Sequence, residues 1–149
     1  MTSLNLPSYE FTTREENGQT FIRDEVRKKW LVLTPEEWVR QNLIMYMHNH
    51  LGYPLSLIQV EKGLELNTMK LRADAVIAGK DGHPLMLIEC KAPKIKIDQK
   101  VFDQISRYNI SFRVPYLLIS NGLKHFCCKV DLDKGLFEFL PEIPQYKDL

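Results

Sequence analysis

Alternating and helically spaced apolar positions divide the chain into short strands and two helices. Tyr9 to Arg14 and Gln19 to Arg23 flank Asn17-Gly18, a pair that tolerates positive φ at both turn positions, which predicts a hairpin. VRKKWLVL, residues 26–33, reads as a short strand with a basic cluster at Arg27, Lys28 and Lys29. Thr34-Pro35-Glu36-Glu37 is a helix start: Thr34 caps, Pro35 suits the first helical position, and Glu37 stands where a capping box places its acid. Val39, Leu43, Tyr46 and Met47 continue with helical spacing until Gly52-Tyr53-Pro54. Leu57 to Leu66 is the next predicted strand, with Glu61 in its middle.

Met69 to Lys91 then reads as two strands joined at Lys80-Asp81-Gly82-His83. Asp98 is a candidate cap for a helix running to about Asn109, with Val101, Gln104, Ile105 and Tyr108 on one face. PYLLIS, residues 115–120, is apolar enough for a strand covered on both faces. Leu123 to Val130 and Leu136 to Leu140 predict a closing hairpin around Asp133-Lys134-Gly135. The tail PEIPQYKDL, with two prolines, reads as peripheral or as a tether. The order predicts one α/β (α+β) domain over residues 1–149, a mixed central β-sheet flanked by helices. An N-terminal hairpin occupies about 8–33 and the core about 34–140.

Charge changes this picture at one place. Asp74 interrupts the first strand of the Met69–Lys91 pair, and Glu89 and Lys91 interrupt the second. With a period of two, Glu89 and Lys91 share a face, and Ile88 and Cys90 take the other. If the strands pair antiparallel, the two carboxylates and the ammonium converge. Such a group in an apolar sheet is unfavourable without a compensator, and a hard cation such as Mg²⁺ with its preference for oxygen ligands is one. The alternative is a plain cross-strand ion pair between Asp74 and Lys91.

Bulk composition narrows the classes. The chain has 149 residues, a formal net charge of +1 and 44% hydrophobic residues, so it can bury a core and carries no global field that announces nucleic acid. Three cysteines, with no C-x-x-C pair, read as reduced thiols in the cytoplasm rather than as a disulfide framework or zinc site. The opening MTSLNLPSYEFTTREENG has neither a basic start nor an apolar stretch, so no signal peptide is expected; with no membrane-length apolar run, no G-x-G-x-x-G and no P-loop, neither a membrane nor a bound nucleotide cofactor is expected.

Asp74, then Glu89-Cys90-Lys91, then Gln104-x-x-x-Tyr108 resembles the PD-(D/E)xK nuclease superfamily. Within it, FIRDEVRKKWLVLTPEEWVRQNL, the GYP turn, RADAVIA, LIECKAP and QISRYN resemble the N-terminal nuclease region of type I restriction enzyme R subunits, over roughly residues 20–125. Ala73 stands where many members of the superfamily carry Pro. The resemblance implies a restriction-endonuclease-like fold and a Mg²⁺-dependent DNA endonuclease, with Mn²⁺ as a substitute. It makes Asp74, Glu89 and Lys91 catalytic. Metal ligands would be Asp74, Glu89 and the Cys90 backbone carbonyl, joined by Glu37 or Glu61. Lys91 would hold or help deprotonate the attacking water.

Gln104 and Tyr108 would shape the site or touch the DNA backbone, and Lys94 and Lys96, with Lys100 beyond, become plausible phosphate contacts. Partners implied are DNA and other restriction-modification subunits. No helicase-like translocase is present, so the chain is expected to be a small free-standing relative or a piece of a larger product. The rival expectation is a catalytically silent nuclease-fold module for DNA binding or assembly of a restriction complex. Glu37 also has the plain reading of a capping carboxylate at a helix N-terminus.

Overall fold

A computed structural model describes the backbone of residues 2–60, 63–66 and 69–149, and the side chains of these residues except 63–66, 69–72, 108 and 110–112. Strands β1 (Thr13–Glu16) and β2 (Gln19–Asp24) form the expected hairpin, closed by Asn17 at φ 52° and Gly18 at φ 78°. β3 (Lys29–Val32) completes a three-stranded antiparallel sheet. Its turn is held by the Asp24 carboxylate, which accepts the backbone N–H groups of Val26 and Arg27. This local bonding aims the Arg27 side chain at the following helix.

That helix, α1 (Pro35–Leu51), begins as its sequence requires, with the Thr34 hydroxyl accepting the N–H of Glu37 at 3.0 Å. It ends at Gly52, whose φ of 75° favours glycine. The predicted strand over 57–66 is two: β4 (Ile58–Val60) and β5 (Gly63–Leu66). Glu61 lies outside the described residues. The strand expected from Met69 also divides, into β6 (Met69–Arg72) and β7 (Ala75–Ala78), with a bend at Asp74 between them. The division has a topological reason. β6 pairs with β5 in a separate ribbon, whereas β7 joins the central sheet beside β4 and β8 (Pro84–Cys90).

Helix α2 (Gln99–Phe112) is capped by Asp98, which accepts the Val101 N–H at 3.0 Å. It carries the chain to β9 (Tyr116–Ser120), which pairs parallel with β8. β10 (His125–Asp131) and β11 (Leu136–Leu140) close the sheet as the expected hairpin. The described six-stranded sheet runs β11-β10-β9-β8-β7-β4. It is mixed, because only a crossover helix can return the chain parallel between β8 and β9.

Each face of the sheet buries one helix. On one side Val39, Leu43, Ile44 and Met47 of α1 pack on Ala75, Ile77, Met86, Ile88 and Cys90. On the other, Ile105 of α2, flanked by Val101 and Phe102, packs on Val76, Leu87, Leu117 and Ile119. β9 is buried along its whole length, as its unbroken apolar run predicts. The α2 face differs from expectation by one position: Phe102 packs inward and Gln104 is exposed. The tail is also no tether. Ile143 is buried in the α1-side core, the Tyr53 hydroxyl donates to the Pro144 carbonyl at 2.9 Å, and the Tyr146 hydroxyl donates to the Ala78 carbonyl at 3.1 Å.

Candidate active site

The β7–β8 register pairs Ala75 with Ile88, which brings Asp74 level with Glu89 at the open end of the hairpin. Because β7 starts only at Ala75, nothing on that strand's backbone takes the N–H of Cys90. The Asp74 carboxylate accepts it instead, at 2.6 Å. In a strand the N–H and C=O of one residue point to the same edge. The Cys90 carbonyl is therefore on the Asp74 side, while its thiol is buried in the α1-side core. Lys91 Nζ stands 3.6 Å from Glu89 Oε1. The three groups converge from one hairpin, as alternation required.

Helix α1 borders this cluster through Arg40 and Glu36. Arg40 Nη1 lies 3.9 Å from Asp74 Oδ1, and its Nη2 pairs with Glu37 Oε2. Glu37 is only 3% exposed. Its Oε1 accepts from Arg27 Nη2 at 2.8 Å and from Gln41 Nε2 at 3.2 Å. Arg27 pairs with buried Asp24 as well. Glu37 does stand in the first turn of α1, at the positive helix end, but its carboxylate oxygens are taken by side chains. It anchors a buried network that ties the N-terminal sheet to α1 and, through Arg40, to Asp74. Glu36, one residue earlier, is exposed at the surface but feels the charges of Asp74, Lys91 and Arg40, and partial desolvation followed by the Asp74 charge raises its carboxyl pKa.

The electrostatics of the two central carboxyls are unbalanced. Burial, and then the negative charge of Asp74, push Glu89 up to about 8 despite Lys91 beside it. Burial also raises Asp74, against the Cys90 N–H, Arg40 and Lys91, which favour its charged form. The cations at hand therefore leave the pair of carboxylates under-compensated. Among the described residues no three His, Cys, Asp or Glu side chains are grouped closely enough to hold a metal ion alone. Mg²⁺ does not demand three. It binds commonly through one or two carboxylates, waters and substrate phosphates. Asp74, Glu89 and the Cys90 carbonyl fit that donor set, with Glu36 as a nearby acid.

Lys94 and Lys96 are exposed on the segment after β8. That segment is pinned to the end of β9, since Asn121 Nδ2 donates to the Ile95 carbonyl at 2.8 Å. The side chain of Tyr108 lies outside the described residues, and exposed Gln104 is on α2.

The profile of the family described as type I restriction enzyme R protein N terminus matches residues 35–144. The chain belongs to that family. Among solved structures it resembles a fragment assigned as the HsdR subunit of a type I restriction enzyme from Vibrio vulnificus YJ016, with a TM-score of 0.51 and 16% identity. The likeness is one of fold. It covers 76% of this chain and 24% of that one, so the chain spans about a quarter of the fragment's length. No curated protein matches the chain. No described helix is long and apolar enough to cross a membrane.

Within this R-subunit N-terminal domain, the acid that sequence reasoning missed is Glu36. Helical periodicity gives the spacing of Glu36 and Glu37 but not the rotation of α1 about its axis against the sheet.

Proposed function

We propose that this domain is a Mg²⁺-dependent deoxyribonuclease of the PD-(D/E)xK type, supplied with DNA by other subunits of a restriction system or acting alone. The observation that carries the proposal is the meeting of Asp74, Glu89 and Lys91 on one edge of the β7–β8 hairpin, with the carboxylates under-compensated. Asp74, Glu89 and the Cys90 carbonyl would hold the ion. Bound there, Mg²⁺ supplies Lewis acidity toward a phosphate oxygen and lowers the pKa of a water.

The chain's own groups do the rest. The Cys90 N–H fixes the Asp74 carboxylate through Oδ2 and leaves its second oxygen, Oδ1, without that bond. Arg40 holds the Asp74 side from α1, itself locked by Glu37. Lys91 orients the attacking water and offsets the negative charge that develops on the phosphoryl oxygens. Glu36, whose carboxyl feels the Asp74 and Lys91 charges, would accept a hydrogen bond from a water of the same cluster. Lys94 and Lys96 meet the DNA backbone as exposed cations.

The test joins cleavage to binding. Supercoiled plasmid is incubated with the protein and Mn²⁺ or Mg²⁺ beside Lys91→Ala, and the same proteins are titrated with Mn²⁺ by calorimetry. Wild type should bind the ion and nick the plasmid; Lys91→Ala should bind but not nick. An absence of ion binding at Asp74 and Glu89 refutes the metal-site proposal and leaves a silent DNA-binding or assembly module.

A further inference from the structure

The face of the sheet that carries the acidic pair continues past it into an aromatic cavity. Glu89 pairs with Ile119, and Ile119 with Phe126, so these three residues form one row across β8, β9 and β10. Glu89, Ile119 and Phe126 share the α2 side of the sheet, as do Leu87 and Cys128 by alternation. Phe139 stands opposite Cys128 on β11, one row along on the same side. Strands lie just under 5 Å apart, so Phe126 is about 10 Å from Glu89 and the outermost strand about 15 Å. Phe126 is 36% exposed and Phe139 57% exposed, and Phe139 leans on Phe102 of α2 with ring centroids 5.3 Å apart. With Ile97 and Ile119 they line a cavity of about 390 Å³.

The segment between site and cavity is basic. It leaves the site at Lys91, carries exposed Lys94 and Lys96, and enters the cavity wall at Ile97 and Asp98, with exposed Lys100 just beyond. The polar side chains of the wall each have a partner. Asp98 caps α2, Gln99 Nε2 donates to Asp103 Oδ1 at 2.8 Å, and His125 contacts the Ser120 hydroxyl at 2.6 Å and the Asn5 carbonyl at 3.0 Å. What remains open to a ligand is apolar and aromatic, at the end of a row of lysines that starts at the reacting groups.

We propose that this cavity takes an unpaired nucleobase of the DNA, stacked on Phe139 and Phe126, while Lys94 and Lys96 hold the phosphates between it and the scissile bond. The inference rests on the nuclease reading above and gives it a substrate class: DNA with a single-stranded or splayed nucleotide two or three positions from the cut. Aromatic platforms beside cationic tracks bind single strands in this manner, because every base has a π-face.

The test is binding in EDTA, which leaves the metal site out of the measurement. A short oligonucleotide with 2-aminopurine near one end is offered single-stranded and as a blunt duplex to the wild type, Phe139→Ala, Phe126→Ala and Phe139→Trp. The expected result is preference for the single strand, with 2-aminopurine quenched on binding. Each alanine variant should weaken the single-strand complex roughly tenfold, leave the duplex unchanged, and Phe139→Trp should retain both affinity and quenching. Equal affinity of all four proteins for the single strand, without quenching, overturns the proposal. So does dissociation of a homodimer by Phe139→Ala with unchanged oligonucleotide affinity, which would make the patch a contact between copies. The Mn²⁺ titration stands apart: ion binding with no aromatic effect sinks the cavity alone, and an aromatic effect without ion binding supports the cavity while sinking the nuclease reading.

Discussion

Replacing Glu89 by Gln removes the charge that the folded domain accommodates worst. Burial and the Asp74 charge raise the Glu89 carboxyl from an ordinary 4.5 to about 8. A folded-state pKa above the unfolded one means stability that is complete below about pH 4.5, falls as pH rises, and is fully lost above about pH 8. At pH 7 the folded protein keeps a proton that the unfolded chain has released. Two and a half units at 1.36 kcal/mol each put the cost at about 3 kcal/mol, rising to about 5 kcal/mol above pH 8. Gln has the same shape and no charge, so in EDTA the variant should match wild type near pH 4.5 and exceed it by about 3 kcal/mol at pH 7. The pairing with Lys91 at 3.6 Å is already contained in that figure, because it lowers the Glu89 pKa. Urea titrations at a series of pH values measure the difference directly. Saturating Mg²⁺ should close the gap by stabilising wild type alone. Parallel pH profiles for the two proteins would refute the reasoning, because Glu89 would then titrate as an ordinary surface carboxyl.

Other outcomes follow from the same geometry. Arg27→Met leaves Asp24 and Glu37 short of a buried cation and should cost about 3–5 kcal/mol of stability in urea unfolding. Glu36→Gln should leave the urea midpoint near wild type and weaken Mn²⁺ binding several-fold by calorimetry, because Glu36 is exposed yet in electrostatic contact with Asp74. Gly122→Ala should lower stability by about 1–3 kcal/mol, since the site has φ 85° and a new Cβ would come within 2.6 Å of Leu4 Cδ2 and 3.1 Å of Val39 Cγ2. Tyr53→Phe should cost about 1 kcal/mol and loosen the C-terminal segment in hydrogen exchange, because it deletes the bond to the Pro144 carbonyl.

What was legible in the sequence is what short-range chemistry controls. Asn17-Gly18, Thr34-Pro35, Gly52 and Asp98 each place a boundary through their own backbone preferences, and the structure ends its elements there. Alternation put Glu89 and Lys91 on one face and the Cys90 thiol in the core, because the pleat leaves no other choice. The rest depended on how elements meet. Nothing between Met69 and Ala78 looks like a turn, so the bend at Asp74 shows only when β6 and β7 are seen in different sheets. Glu37, expected at the metal or the helix cap, is instead held in a buried network because Arg27, brought in from the β2–β3 turn, claims it, and Glu36, to which the sequence assigned nothing, is the α1 acid that feels the Asp74 charge. Gln104 is exposed where the helical pattern put it inward, because α2 is rotated so that Phe102 meets β11 on the other side of Ile105. The tail reads as loose by composition, yet Ile143 and Tyr146 find partners far away in the chain.

The carboxylate of Asp74 serves as the last rung between β7 and β8, so closing the hairpin and assembling the acidic cluster are a single event. The exposed tip at Lys80–His83 sits at the opposite end of β8, about 20 Å off by strand length. Foreign sequence spliced into that tip would therefore ride on the domain without disturbing its chemistry, whereas slipping the two strands by one residue would erase it at a stroke.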